Sequence, residues 1–259
     1  MKIAIIGAGN MGMAIIRGLL KSKLCRAADL FVSDVNQNNL NQVKKIDKNI
    51  LTSLDNQETV KSAEYVLLAV KPWLIDAVIS PLKQSLHAGR HVIISIAAGV
   101  DLSTIAGKIG NDFSLFRILP NTAVSIRESM TFISSLNASP EQEKDVVTIF
   151  EQLGKVMLTP ENLMGAFTSI SSCGIAYALR YIRAAAEGAI ELGIRPETAH
   201  EVIAQTMLGA ACLILANQSN PENEIDKVTT PGGWTIKGLN TMEEHGFSNA
   251  VIKGIKANK

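Results

Sequence analysis

Three glycines near the N-terminus have a spacing that lets a loop bind phosphate groups. Gly7, Gly9 and Gly12 form a G-x-G-x-x-G pattern between the apolar run Ile3–Ile6 and a helical pattern. In this context the first glycine permits a tight turn and the second lets the backbone approach a pyrophosphate. The third lets the helix pack against the strand. Free N–H groups at the helix start then face the phosphates. The pattern predicts a dinucleotide-binding loop, and a glycine turn without a ligand is the less favoured interpretation.

An acidic residue lies at the expected distance beyond this loop. Asp34 follows the apolar run Leu30–Ser33, about 20 residues after the last glycine. A carboxylate here accepts hydrogen bonds from the adenine ribose hydroxyls and repels the 2′-phosphate of NADP. Residues 35–37 carry no positive charge, and the sequence leaves open that Lys44 and Lys45 on the next predicted helix reach back. We therefore expect NADH to be favoured over NADPH; the alternative is a solvated carboxylate at a strand end.

A third candidate site lies near the C-terminus. Thr230, Pro231, Gly232 and Gly233 immediately precede a helical pattern that includes Thr235. Glycines at a helix start leave N–H groups free for a ligand carboxylate. The two threonine hydroxyls are able either to cap the helix or to bind the ligand. An ordinary capped helix start is the alternative.

The remaining reactive side chains do not form a recognisable pattern. Neither the four histidines nor the three cysteines have the spacing of metal ligands. The three cysteines are far apart along the chain, which argues against a disulfide framework. We therefore expect no metal site, and we interpret Cys173 as a packing residue within a helix. The residues concerned are His87, His91, His200, His245, Cys25, Cys173 and Cys212.

Short apolar runs alternate with helical patterns over the first 159 residues. Such alternation predicts a doubly wound parallel sheet of the Rossmann type with helices on both faces. From 160 to 259 the pattern is helical, with helices expected over 161–193, 197–217, 233–244 and 247–256. The small residues of segment 161–193 indicate close helix packing. We expect a dinucleotide-binding domain over 1–159 and an α-helical domain over 160–259.

Composition excludes several classes of protein. The chain has 259 residues, 47% of them hydrophobic, and a net charge of +1, which gives no electrostatic footprint for nucleic acid. The N-terminal apolar run is shorter than a signal-peptide core. We identify no 18-residue apolar run and so expect no membrane span. A reduced, cytoplasmic compartment fits these features.

Four ordered motifs extend this interpretation from a fold to a family. Three end predicted strands, at residues 69–72 (AVKP), 95–100 (SIAAGV) and 117–122 (RILPNT). The fourth, VTTPGGWTIKGL at 228–239, is the most distinctive. Together they resemble the pyrroline-5-carboxylate reductase family over essentially the whole chain.

The resemblance implies NAD(P)H-dependent reduction of the cyclic imine 1-pyrroline-5-carboxylate to proline, by a homodimer or larger homo-oligomer that interlocks through its helical domain. It implies a substrate site at Thr230, Gly232, Gly233 and Thr235, with Thr235 or a water as proton donor. The cofactor residues that it implies, beside Asp34, are Gly7, Gly9, Asn10, Met11, Gly12, Asn56, Ala69, Lys71, Pro120 and Asn121.

Departures from the family pattern leave alternatives open. Cys173 and Ile175 replace a serine and a proline, and the loss of proline removes an expected helix kink. Trp234 replaces a small residue beside the substrate motif. One alternative is a related imine or hydroxyacid dehydrogenase with a changed substrate. However, the chain lacks a lysine between Lys155 and Lys227, where a hydroxyacid dehydrogenase of the 6-phosphogluconate type places its catalytic lysine. The other alternative is a non-catalytic relative that binds dinucleotides for regulation.

Overall fold

An eight-stranded sheet forms the framework of the computed structural model, which describes residues 1–22 and 24–258. The chain divides into two compact units, Met1–Ser172 and Cys173–Lys259. The strands of the first unit are β1 Ile3–Ile6, β2 Leu30–Ser33, β3 Leu51–Ser53, β4 Tyr65–Leu68, β5 Val92–Ser95, β6 Ser114–Leu119, β7 Ser129–Leu136 and β8 Gly154–Leu158. Its helices are α1 Asn10–Ser22, α2 Gln37–Ile46, α3 Asn56–Val60, α4 Ile75–Leu82, α5 Leu102–Ile109, α6 Pro140–Glu151 and α7 Met164–Phe167.

The strand order determines where a ligand binds. The order is β3-β2-β1-β4-β5-β6-β7-β8, and all neighbours are parallel except the antiparallel pair β6 and β7. The chain moves outward from β1 through β2 to β3 and then returns to β4 on the other side of β1. This reversal creates a crevice at the carboxyl ends of β1 and β4, where doubly wound sheets bind ligands.

Strand β1 shows why the parallel strands are apolar throughout. Ile3 and Ile5 belong to the core cluster on one face of the sheet, while Ala4 and Ile6 belong to the cluster on the other face. Successive side chains of a strand point to opposite faces, so a sheet covered on both sides buries every residue. All four are at most 2% exposed.

The second unit consists of helices: α8 Gly174–Glu191, α9 Pro196–Asn217, α10 Pro221–Val228, α11 Trp234–Glu244 and α12 Phe247–Lys256. Few of its described residues are buried. Ala186 and Ala199 are buried, whereas Leu179, Leu208 and Leu215 are each more than half exposed. The unit therefore presents a large apolar surface that its own helices leave uncovered.

The expected fold class, a Rossmann-type sheet followed by an α-helical region, is confirmed. Three short elements, β3, α3 and α10, escaped the sequence analysis because each is too short to show a clear period. The antiparallel β7 was likewise not distinguished from its parallel neighbours. The sequence boundary between domains at 159/160 stays a prediction. In the structure the first unit continues to Ser172, because Phe167 stacks on Phe132 and Ser171 Oγ donates to the Met130 carbonyl.

The expected single helix over 161–193 was wrong. The segment is a 3-10 turn, the short α7, a π-helical turn at Thr168–Ser172 and then α8. Hydroxyl groups bond in two ways at the break: Ser171 Oγ and Ser172 Oγ donate to the Met130 and Pro120 carbonyls outside the segment, and Thr168 Oγ1 and Ser169 Oγ donate to carbonyls four residues earlier. Such back-bonding competes with regular helical hydrogen bonds and bends helices. The chain therefore departs from a regular α-helix here without a proline.

Helix α9 corrects the expectation that no helix has the length and composition of a membrane span. An 18-residue window of Pro196–Asn217 has a mean hydropathy of 1.5, and only 6% of that window is buried. Residues 202–221 contain no charged side chain. One such helix is weak evidence for a membrane span. Its exposure instead adds to the uncovered apolar surface of the second unit.

A buried histidine joins two connections at the amino end of the sheet. His91 is 1% exposed; its Nδ1 accepts from the His87 N–H at 2.9 Å, and its Nε2 lies 3.3 Å from the Val60 carbonyl. A neutral ring with its proton on Nε2 satisfies both contacts. Burial lowers the pKa of His91, the hydrogen bond with the Val60 carbonyl raises it, and the charge of Arg90 lowers it.

We predict that this histidine makes folding sensitive to mild acid. The unfolded chain takes up a proton near pH 6.5, whereas the folded protein does so only at lower pH. The contribution of neutral His91 to the free energy of unfolding is therefore fully present above about pH 6.5. It falls as the pH drops towards the lowered pKa of the folded protein. Urea unfolding at pH 7.5 and 5.5 tests this. His91→Gln keeps an acceptor and a donor but does not titrate, so its midpoint should fall less over this range. Equal losses in both proteins would contradict the prediction.

Candidate active site

The glycine loop between β1 and α1 is wedged between two neighbouring strands. Gly7 has a φ of +105°, and a Cβ built on it would lie 2.6 Å from the Ala69 carbonyl oxygen. A Cβ on Gly12 would lie 2.1 Å from the Gly7 carbonyl oxygen. Gly9 is exposed, with no atom within 4 Å of its Cβ position. The loop therefore needs Gly7 and Gly12 for its own packing, whereas Gly9 leaves open space beside the start of α1.

Asp34 is bound to this loop. Its Oδ2 accepts from the Ala8 N–H at 2.7 Å and from Asn39 Nδ2 at 3.1 Å, and its Oδ1 accepts from the Asn36 N–H at 2.8 Å. The carboxylate thus has an anchoring function that the sequence analysis did not foresee. Each carboxylate oxygen has about two lone-pair sites, so Oδ1 keeps one for a ligand.

Lys44 does not reach the end of β2. Its Nζ donates to the carbonyls of Lys48 at 3.1 Å and Ile50 at 2.5 Å, at the far end of α2. Lys45 lies in the same last turn, about 12 Å along the helix from its start. Neither cation therefore offsets the negative charge of Asp34. This differs from the alternative left open by the sequence, in which these lysines reach back to Asp34.

Asn56 lies beside the same strand end. Its Oδ1 accepts from Ser33 Oγ at 2.7 Å, and Ser33 is fully buried at the end of β2. This bond orients the amide so that its NH₂ group faces away from the serine. The first residue of α3 therefore offers a hydrogen-bond donor near Asp34.

The end of β4 carries the second predicted contact segment. Ala69 touches the loop at Gly7, and Lys71 is exposed two residues later. Pro72 opens a 3-10 turn in which the Leu74 N–H donates to the Lys71 carbonyl at 2.9 Å. Lys71 Nζ lies over the indole of Trp73, 6.0 Å from its centroid. Trp73 was not predicted as a site residue, although its place directly after the AVKP motif was a signal.

Asn121 and Pro120 have structural partners at the end of β6. Asn121 is 6% exposed; its Oδ1 accepts from the Ala123 N–H at 3.0 Å and its Nδ2 donates to Ser171 Oγ at 3.3 Å. The Pro120 carbonyl accepts from Ser172 Oγ at 3.4 Å. Both ends of the Asn121 amide are thus engaged within the protein, and its expected role beside the nicotinamide stays a prediction.

The C-terminal motif has a different local structure from the one expected. The Gly233 N–H donates to the Thr230 carbonyl at 3.0 Å, and Gly232 has a φ of +71°. Pro231 and Gly232 are therefore the central residues of a type II turn. The idea that Gly233 offers a free N–H was wrong, because the turn uses that donor.

Helix α11 begins after this turn, and its cap residue Gly233 has no side chain to satisfy the first N–H groups. The unsatisfied donors at its start are the backbone N–H groups of Trp234, Thr235 and Ile236. Thr230 and Thr235 are both exposed. The free N–H groups of the helix start thus begin one residue later than expected.

The described residues contain no group of three His, Cys, Asp or Glu side chains placed to hold a metal ion. The features that remain are a helix start beside an open glycine, an anchored carboxylate and a second helix start with free N–H groups. A helix start beside an open glycine suits a pyrophosphate. The first unit therefore fits a dinucleotide, because Gly9 leaves the space that its phosphates need.

Comparison with known proteins agrees with this chemistry. Residues 161–259 match the family model described as pyrroline-5-carboxylate reductase dimerisation. Residues 2–99 match the one described as NADP oxidoreductase, coenzyme F420-dependent. Two matched regions thus cover both parts of the chain.

Individual relatives extend over the full chain. Pyrroline-5-carboxylate reductase of Methanosarcina acetivorans is 36% identical, with 100% of this chain and 97% of that protein covered. Pyrroline-5-carboxylate reductase 1 of Dictyostelium discoideum is 37% identical over 98% of this chain, which spans 48% of that protein. A solved pyrroline carboxylate reductase of Plasmodium falciparum, with NADP bound, superimposes with a TM-score of 0.90 at 23% identity. That superposition covers 99% of this chain and 95% of the other.

We predict that two alanine substitutions separate packing from ligand binding in the glycine loop. Gly12→Ala places a Cβ against the Gly7 carbonyl, so it should destabilise the fold by about 1–3 kcal/mol. Gly9→Ala meets no protein atom, so its thermal midpoint should match that of the parent protein. It should nevertheless weaken NADH binding about tenfold or more, as measured by titration calorimetry. Unimpaired binding by Gly9→Ala would show that the phosphates do not approach this loop.

Proposed function

This chain belongs to the pyrroline-5-carboxylate reductase family, and we propose how its residues bind the reactants when it reduces 1-pyrroline-5-carboxylate to proline. The protein is an NAD(P)H-dependent oxidoreductase. The observation that carries the proposal is the open glycine loop at the crevice between β1 and β4. The bound nicotinamide supplies a hydride to the C=N carbon, and a proton reaches the imine nitrogen. The protein contributes binding and orientation.

The first unit holds the dinucleotide in this proposal. The N–H groups at the start of α1, next to Gly9, face its pyrophosphate. The free lone pair of Asp34 Oδ1 and the Asn56 NH₂ group bind the adenine ribose. The remaining contacts expected from the resemblance are Asn10, Met11, Ala69, Lys71, Pro120 and Asn121.

The α11 start in the second unit holds the substrate carboxylate. Three N–H groups and the positive end of the helix dipole favour an anion there. Thr235 is the second residue of α11. Its hydroxyl is both a donor and an acceptor, so it is able to donate to the imine nitrogen or to hold a water that does. Thr230 supports the turn that precedes the helix.

The protein forms a homo-oligomer, and we propose that the exposed apolar faces of α8 and α9 pair with those of a second copy. Leu179 and Leu208 are 59% and 57% exposed, and a helix pair with so much free apolar surface gains stability when it is covered. This accounts for the hydropathy of α9 without a membrane and accords with a cytoplasmic location. A light-scattering mass of 27.8 kDa, that of one chain, would contradict it.

The proposed reaction is tested by turnover of pyrroline-5-carboxylate with NADH and with NADPH. We expect proline as the product and consumption of one cofactor per proline formed. Hydroxyacid oxidation with NAD⁺ is the control for the alternative dehydrogenase. Cofactor binding without turnover of pyrroline-5-carboxylate would contradict the assignment and favour a non-catalytic relative.

We predict a preference for NADH that depends on the charge of Asp34. A 2′-phosphate carries roughly −1.5 to −2 charges near neutral pH. A nearby carboxylate repels this phosphate. A repulsion of about 1.4 kcal/mol is enough to weaken binding tenfold. The wild-type kcat/KM should therefore be higher with NADH. Asp34→Ser should shift the ratio towards NADPH by about tenfold.

Asp34→Asn is the matched control for the anchoring role of this residue. It removes the charge but keeps an oxygen that accepts from the Ala8 N–H. An equal shift in both variants identifies the charge as the cause. Wild-type enzyme that is tenfold better with NADPH would show that the carboxylate does not face the ribose.

We further predict that the first N–H of α11 binds the substrate carboxylate. Trp234→Pro removes this donor at a position where proline suits a helix. Gly233 already has the extended backbone, φ −66° and ψ 173°, that a residue before proline requires. Trp234→Ala also removes the indole but keeps the N–H. Relative to Trp234→Ala, the proline variant should raise KM for pyrroline-5-carboxylate about tenfold, with KM for NADH unchanged. Equal KM values would place the carboxylate elsewhere.

A further inference from the structure

The two tryptophans of the chain are both exposed, and one of them follows the end of β4, where Ala69 packs against the glycine loop. Trp73 is 75% exposed and Trp234 is 91% exposed. Tryptophan is a large side chain that is buried to a high degree on average. An exposed indole at the ligand-binding edge of a doubly wound sheet is therefore a candidate contact for a ligand.

The backbone around Trp73 brings it close to the glycine loop. Gly7 packs directly against Ala69, four residues before Trp73. Pro72 fixes the backbone dihedral φ at the start of the 3-10 turn, and the hydrogen bond from the Leu74 N–H to the Lys71 carbonyl closes that turn. The indole is therefore carried by a constrained turn at the crevice between β1 and β4.

A cation accompanies the indole. The Lys71 ammonium lies over the ring, 6.0 Å from its centroid, at a distance where the ring attracts a cation. An exposed cation and an exposed aromatic face together match a ligand that has both phosphates and a flat ring. A nicotinamide dinucleotide has both, and its nicotinamide half lies on the β4 side of the crevice in such sheets.

We propose that Trp73 is a positioning residue whose indole packs against the nicotinamide half of the bound dinucleotide. This inference rests on the proposed function, since it needs the dinucleotide to bind at the glycine loop. The indole covers the outer side of the nicotinamide half, and Lys71 holds the indole in orientation. The contact adds affinity for the nicotinamide half and none for the adenosine half.

The experiment uses the full-length Trp234→Phe protein, in which Trp73 is the remaining tryptophan. NAD⁺ and ADP-ribose are the probes, because they share adenosine and phosphates but only NAD⁺ has the pyridinium ring. NAD⁺ should quench most of the Trp73 emission, since a pyridinium quenches a stacked indole, and ADP-ribose should leave it unchanged. Calorimetry on the same samples establishes that each ligand binds.

Variants at the same position give a second measurement. In calorimetry, Trp73→Ala should raise the Kd of NAD⁺ about three- to tenfold, and Trp73→Phe should raise it less. The Kd of ADP-ribose should be the same in all three proteins. An effect on both ligands would indicate a structural role and overturn the proposal.

Other outcomes separate this inference from the proposed function. NAD⁺ binding without quenching, or equal quenching by both ligands, would overturn the role of Trp73 and leave the reductase function in place. Trp73 emission that is shielded from acrylamide before any ligand is added would mean that a second copy covers the indole. Absence of binding by both NAD⁺ and NADP⁺ would overturn both proposals.

Discussion

The close backbone approach between the glycine loop and the neighbouring strands is the constraint on which the candidate cofactor site depends. The Gly7 N–H donates to the Ser33 carbonyl of β2 at 2.7 Å, and the Ala69 N–H donates to the Ile6 carbonyl of β1 at 2.8 Å. The loop therefore joins three strand ends. A side chain at Gly7 would collide with Ala69, so the packing requires a residue without Cβ at this position.

Asp34 has a packing role in the structure and a recognition role in the proposed function. Its carboxylate fixes the Ala8 N–H of the loop and the first turn of α2 through Asn36 and Asn39. The Asp34 carboxylate therefore places a negative charge near the phosphates of a dinucleotide bound to the loop. The adjacent start of helix α1 offsets that charge. In the proposed function, cofactor preference and loop geometry are linked through this residue, which is why a neutral isostere is the informative comparison.

The second unit is governed by a different constraint. Its helices leave most of their apolar surface exposed, so covering that surface is part of its stability. The substrate site proposed for it lies at the start of α11, where a type II turn uses the Gly233 donor and leaves the next three N–H groups unsatisfied. The turn residues Pro231 and Gly232 therefore set the conformation of the chain just before α11.

The sequence by itself determined the fold class and the identity of the glycine loop, because apolar strands of a parallel sheet and a G-x-G-x-x-G turn leave local patterns. Strand bounds such as Ile3–Ile6 and Leu30–Ser33 followed from the apolar runs. Short elements such as Leu51–Ser53 carried too few residues to show a period.

Tertiary structure alone decided which donors and acceptors remain free. The bond between Asp34 and Ala8, the engagement of both ends of the Asn121 amide and the tether of Lys44 at Ile50 all join residues whose pairing no local pattern encodes. The exposure of Trp73 beside the loop likewise depends on how β4 packs against β1. Local sequence specifies local conformation, but hydrogen-bond partners distant along the chain are fixed only when the strands assemble.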